Sequence, residues 1–254
     1  MAETTSLPLP QNRNGLHLIP DMLLHPRQAF AQIGVENKRA WVAPLLLLSL
    51  TTLAALLVNS YFVSRAAMSA PPELPPDWQY WSPEMQNDFM QAQQATQSPT
   101  ILYVIPAVLG LAKLWLGWVI LGGLLHMVST LMGGRETITD ALNIYAFSIL
   151  PFALRDVLRV VFVWSVQHPI QKAGLSGFVA DGAMGSPFWG QILANFDLFL
   201  VWHAVVLVIG FQVFANLPRK KALAVVLTVL AISLLVQAGL GTLGIRIGGM
   251  LSPG

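Results

Sequence analysis

The run "NFDLFLVWHAVVLVIGF", Asn195 to Phe211, holds Asp197 and His203 inside an otherwise apolar stretch. Other charges lie in similar surroundings: Lys113 in "LGLAKLWLGW", and Arg155, Asp156 and Arg159 in "FALRDVLRVVFVW". Two chemistries suit such a set. A carboxylate and an imidazole on one helix with an amine on another could relay protons or ions, with Asp197, His203 and Lys113 as the members. Alternatively, opposite charges neutralise one another, because a lone charge in a bilayer is costly and generally faces a bundle interior beside a partner. Depth separates the two. In straight helices rising 1.5 Å per residue, Arg159 and Asp197 each lie about 9 Å in from the same side, and Arg155 about 15 Å in. His203 and Lys113 lie about 18 Å in, near the midplane, where a relay would want a carboxylate. Six residues apart is about 120° around a helix, so Asp197 and His203 point in different directions. The expectation is therefore an ionised Asp197 paired with Arg159, with Arg155 and Asp156 completing a charge cluster.

Other motifs carry less. "GLSG", Gly174 to Gly177, matches the short serine motif of rhomboid proteases, but Ser176 falls in a loop beside Lys172 and Gly182. The chain has no cysteine, no His-Glu-x-x-His, no paired glutamates within an apolar run and no phosphate-binding glycine loop. No enzyme activity, cofactor or metal is expected. "GGRET", Gly133 to Thr137, reads as a tight turn, with Thr137 or Thr139 capping the next helix. Gly244 and Gly248 form a small-x-x-x-small pair on which helices can pack closely, with Arg246 facing elsewhere.

The elements that must position these residues follow from composition. The chain is 55% hydrophobic and only 10% charged, whereas soluble domains carry roughly 25% charged residues. Lipid is the expected partner, and a net charge of +2 gives no reason to expect nucleic acid. A crossing helix needs roughly 20 apolar residues. Candidate spans are about Trp41–Val63, Ile101–Leu131, Ala141–Ser165 (interrupted by Pro151), Gln191–Phe214 and Ala222–Leu243. The fold class is all-α, a polytopic five-helix transmembrane bundle. It divides into a cytoplasmic segment 1–40, a membrane domain 41–243 with an outer loop 64–100, and a tail 244–254. The N-terminus lacks the charged and apolar regions of a cleavable signal peptide.

Lysine and arginine placement orients the bundle. Arg13, Arg27, Lys38, Arg39, Arg135, Arg219, Lys220 and Lys221 fall on one side of a five-span chain, against Arg65, Lys172 and Arg246 on the other. That puts the N-terminus in the cytoplasm and the C-terminus outside, in the plasma membrane. Before the first span, Pro26 suits a first helical position, and Phe30 and Ile33 share a face. A short amphipathic helix lying on the leaflet is expected there. In the outer loop, Ser82 reads as an N-cap, Pro83 as the first helical residue and Glu84 as a first-turn acid. Met85, Phe89 and Ala92 then give a second short amphipathic helix.

Several of these stretches together resemble the Yip (Ypt/Rab-interacting protein) family of five-span membrane proteins. "LLHPRQAFAQI" resembles its Pro-x-x-x-Phe-x-x-Ile entry, and "LLHMVSTLMGGRETITDALNIYAFSILP" its Gly-Gly turn followed by a span with Ser and Pro. "FDLFLVWHAVVLVIGF" is similar to its fourth span, through Asp197, Phe199, Trp202 and Gly210. The similarity covers about Leu23 to Leu235. Eukaryotic members act in vesicle traffic with Rab GTPases and carry a longer hydrophilic N-terminal region. The short form here is more like bacterial members, some of which are linked to ATP-binding-cassette exporters with a membrane-fusion partner. The resemblance implies a non-catalytic scaffold or accessory protein with a membrane-protein partner, and supplies no catalytic residues. The alternative is a small transporter or channel using the intramembrane polar residues.

Overall fold

The long apolar runs fold as helices because, away from water, only a helix satisfies its own backbone. The computed structural model describes residues 18–33, 39–69, 74–170, 172–178 and 187–251, the last seven by backbone alone. Among the described residues the regular structure is all helical: α1 (Leu18–Leu24), α2 (Pro26–Ile33), α3 (Val42–Ser69), α4 (Pro83–Thr96), α5 (Ile105–Leu131), α6 (Ile138–Ser148), α7 (Leu150–Val166), α8 (Pro187–Asn195), α9 (Leu198–Phe214) and α10 (Arg219–Leu251). Leu50, Leu116, Ile120 and Leu240 are each more than half exposed. In water such surfaces would drive association, whereas against acyl chains they are satisfied.

Three described helices are long and apolar enough to cross a membrane, and the pair α8/α9, bent by 61°, raises the number to four at most. The five-span count is not established by this measure. The reason lies in α7, whose 17 residues carry Arg155, Asp156 and Arg159. The run expected as the third span folds as two helices, with Ile149 at the joint and Pro151 in the first turn of α7, where a missing N–H costs nothing. The run expected as the fourth span is also two helices, α8 ending at Asn195 and α9 starting at Leu198.

The register of α3 against α6 and α7 is set by three contacts. The Trp41 N–H donates to Asn143 Oδ1 at 2.9 Å. Further along, the Thr52 hydroxyl donates to Asp156 Oδ2 at 2.8 Å. Beyond that, Tyr61 stacks on Trp164 with ring centroids 6.4 Å apart. The contacts advance together along both chains, so α6 and α7 run parallel to α3 and side by side with it.

The N-terminal helices differ from expectation in where they rest. α2 forms at Pro26–Ile33, but Ala29, Phe30 and Ile33 are buried. Gly210 of α9 makes the room: a Cβ there would lie 3.0 Å from the Phe30 ring and 2.5 Å from Ile144 Cγ2. Phe30 also meets Phe214 edge to face at 6.0 Å. The apolar face of α2 is thus filled by protein, and is not the face that would lie on a leaflet. In the loop after α3, Ser82 accepts a hydrogen bond from the Met85 N–H and Pro83 opens α4. A π-turn, Thr100–Val104, then leads α4 toward α5, giving a continuous helical path from Pro83 to Leu131.

Two contacts gather the basic segments at one end. Lys221 Nζ at the start of α10 donates to the Met132 carbonyl at 2.8 Å, beside the Gly133–Gly134 turn. Arg27 Nη2 of α2 donates to Gln212 Oε1 near the end of α9 at 3.4 Å.

Candidate functional site

Asp197 stands at the break between α8 and α9, and its place explains its presence. Its backbone is extended and its carboxylate accepts the Leu200 N–H at 2.8 Å, so it is the N-cap of α9. A helix starting inside an apolar bundle has unsatisfied N–H groups, and a side-chain acceptor answers one of them. The other side of the break is answered too. The Leu175 N–H donates to the Phe196 carbonyl at 3.1 Å. Gly174 (φ +56°) lets the loop come this close, because a Cβ there would lie 2.7–2.8 Å from the carbonyls of Leu193, Ala194 and Phe196. The Gly174–Phe178 turn is therefore a backbone plug for the end of α8. The Ser176 hydroxyl donates to the Ala173 carbonyl at 2.5 Å, a local turn bond.

The second oxygen of Asp197 lies 3.3 Å from Arg155 Nη1. The arginine so engaged is Arg155, not the Arg159 expected from depth. That count assumed one straight rod from Gln191, and the 61° bend at the break removes the assumption. Arg155 Nε also lies 3.8 Å from Asp156 Oδ1, and its guanidinium sits 4.5 Å from the centre of the Phe152 ring. Asp156 in turn accepts from Thr52 on α3. The cluster thus joins α3, α7 and α9. Arg159 and Lys113 lie within electrostatic range of Arg155.

The relay geometry does not assemble. His203 is buried, its Nδ1 2.8 Å from the Ser148 carbonyl, between the rings of Tyr145 and Phe152 at 5.5 and 5.2 Å. Asp197 is engaged with Arg155, and Lys113 is exposed on α5. By holding the last carbonyl of α6, that of Ser148, His203 helps close the joint at Ile149.

A second polar cluster lies at the basic end. Glu136 of the "GGRET" turn has a fully buried side chain, with Oε1 3.4 Å from His126 Nδ1. A Cβ on Gly134 would collide with Ser129 Oγ and Glu136 Oε2, which puts these groups under the turn. Gly133 adopts φ +92°, a region that favours glycine. Thr137 then caps α6, accepting from the Asp140 N–H while Asp140 Oδ2 accepts from the Thr137 N–H. The cap is thus Thr137 rather than Thr139. Sequence reading treated the turn as a connector and missed Glu136. The available signal was the Gly-Gly pair, which permits a close approach beneath it.

Gly244 is exposed, and a Cβ there would meet nothing within 4 Å. Gly248 lies four residues on in α10, where only the backbone is described. Among the described residues no group of three or more His, Asp or Glu side chains is arranged to hold a metal. Comparison with protein families matches the chain to the Yip1 domain over residues 21–240. No curated protein matches the chain, and no solved structure does.

Proposed function

Because the chain belongs to the Yip1-domain family, we propose that it is a multi-pass membrane scaffold or accessory protein that acts by contact rather than by turnover. The family is one of membrane-associated, generally non-enzymatic proteins. The observation that carries the reading is how the buried polar groups are used. Asp197 is at once helix cap and counter-charge to Arg155, and His203 holds a backbone carbonyl. Groups engaged in this way fasten helices to one another.

Five crossings suit this architecture, with α6 and α7 together as the third. The support is their register with α3. From Trp41 to Tyr61 the companion contacts extend over twenty residues, or about 30 Å, the thickness of a hydrocarbon core. We assign residues 1–40 to the cytoplasm, 41–243 to the membrane domain and 244–254 to an outer tail, in the plasma membrane. The basic end faces the cytoplasm on this assignment.

The partner class is an ATP-binding-cassette exporter, by resemblance to bacterial family members, with the Gly244–Gly248 pair of α10, open at Gly244, as the contact. Affinity capture of the tagged chain from its native membrane, followed by mass spectrometry, should recover exporter subunits. Gly244→Leu with Gly248→Leu should release them. The alternative, a small transporter or channel, draws on the broken helix, since discontinuous helices line substrate sites in many transporters. Ion movement by the purified chain in liposomes, abolished by Asp197→Asn, would overturn the scaffold reading in its favour.

A further inference from the structure

A groove with about 460 Å³ of open space runs along the outside of the bundle between α2, α9 and α10. Its walls are apolar and include Val201, Val205, Val208 and Leu223. One end is different in kind: Arg27, Gln212 and Arg219 close it. Both arginines are exposed. Among the described residues neither has a carboxylate within ion-pair distance. Arg27 is held toward the groove by its bond to Gln212.

We propose that this groove is a binding site for one anionic phospholipid of the leaflet at the basic end. The two guanidiniums receive the phosphate and the apolar channel receives an acyl chain. Three observations converge on this occupant. The polar end is doubly cationic, and guanidinium matches phosphate oxygens in geometry as well as charge. That end lies where the basic segments gather, which is headgroup level for a crossing bundle. From Gln212 to Val201 the α9 wall spans eleven residues, about 16 Å, against a hydrocarbon depth of about 15 Å for one leaflet. A soluble anion would use only the charged end, and an apolar peptide would leave both arginines unanswered. The proposal rests on the bundle lying in a membrane and is independent of the scaffold assignment.

The test is native mass spectrometry of the full chain in detergent with dioleoyl phosphatidylglycerol, and with phosphatidylcholine of the same chains. The wild type should retain one phosphatidylglycerol in preference to phosphatidylcholine. Arg27→Gln with Arg219→Gln should lower phosphatidylglycerol affinity about thirtyfold, from two cationic contacts at the membrane surface. Val205→Trp should lower binding of both lipids. Val205 is half exposed, so the larger ring fills the groove without entering the core. Lys220 lies beside Arg219 outside the groove lining, and Lys220→Gln should change little. Equal retention of the two lipids by the wild type would overturn the proposal. So would a Lys220→Gln loss as large as that of Arg219→Gln, which would mean general surface attraction. Displacement by inorganic phosphate, with Val205→Trp binding as wild type, would make the site a free-anion site and overturn the lipid assignment.

Discussion

Asp197 does two jobs that substitution can separate. Asparagine keeps an oxygen for the Leu200 N–H but loses the charge facing Arg155, whereas alanine loses both. Asp197→Ala should therefore be less stable in detergent than Asp197→Asn, by about 1 kcal/mol, the usual worth of an N-cap. Exchanging the pair, Asp197→Arg with Arg155→Asp, should recover little, because arginine has no acceptor for the cap. A swap that restored the melting temperature would show the ion pair to be the larger effect. The two turn glycines give a second ranking. Gly133→Ala strains a left-handed backbone by about 1 kcal/mol. Gly134→Ala drives a methyl into Ser129 and Glu136 and should cost more, roughly 1–3 kcal/mol. Thermal unfolding of the two variants would check the order. Asp197 and His203 stood out in sequence as polar residues in an apolar run. Their roles did not, because a cap is defined by where a helix starts, and the apolar run gave no sign of a start at Leu198. Glu136 was invisible for the opposite reason: in a polar turn a carboxylate attracts no notice until burial shows it.

At the scale of elements, boundaries set by local chemistry were readable and those set by packing were not. Ser82-Pro83 and Thr137 mark helix starts with their own side chains, and α4 and α6 begin there. The bend between α8 and α9 depends on Leu175, Gly174 and Arg155 arriving from elsewhere in the chain. The seat of α2 likewise depends on a glycine far from it in sequence. Gly210→Leu should expel Phe30 from its niche and cost roughly 1–3 kcal/mol from overpacking. Limited proteolysis near α2 would report it, with faster cleavage expected in the variant. Unchanged cleavage together with an unchanged melting temperature would mean the niche is not what seats the helix.

Over the whole molecule, the number of crossings decides which side the C-terminus faces. Five crossings put a reporter fused after Gly254 outside when the N-terminus is inside, and four put it inside. Extracytoplasmic activity of the fusion is the expected result, and cytoplasmic activity would remove α6 and α7 from the count. The register of those two helices with α3 also bears on the order in which the chain can be made. Each charged residue at a helix centre opposes insertion from the translocon by about 2.5–3.5 kcal/mol, and α7 has three within one short helix. The Thr52 partner of Asp156 is made 104 residues earlier, so it is already there when α7 emerges. The Asp197 partner of Arg155 follows 42 residues later. If α7 crosses, α3 is already in place when it emerges, Asp156 travels with Arg155 from the start, and the second counter-charge, Asp197, arrives only after the ribosome has passed the start of α9. On the five-crossing assignment the charges of α7 are therefore met in two stages, by Thr52 of α3 before it and by Asp197 at the start of α9 after it.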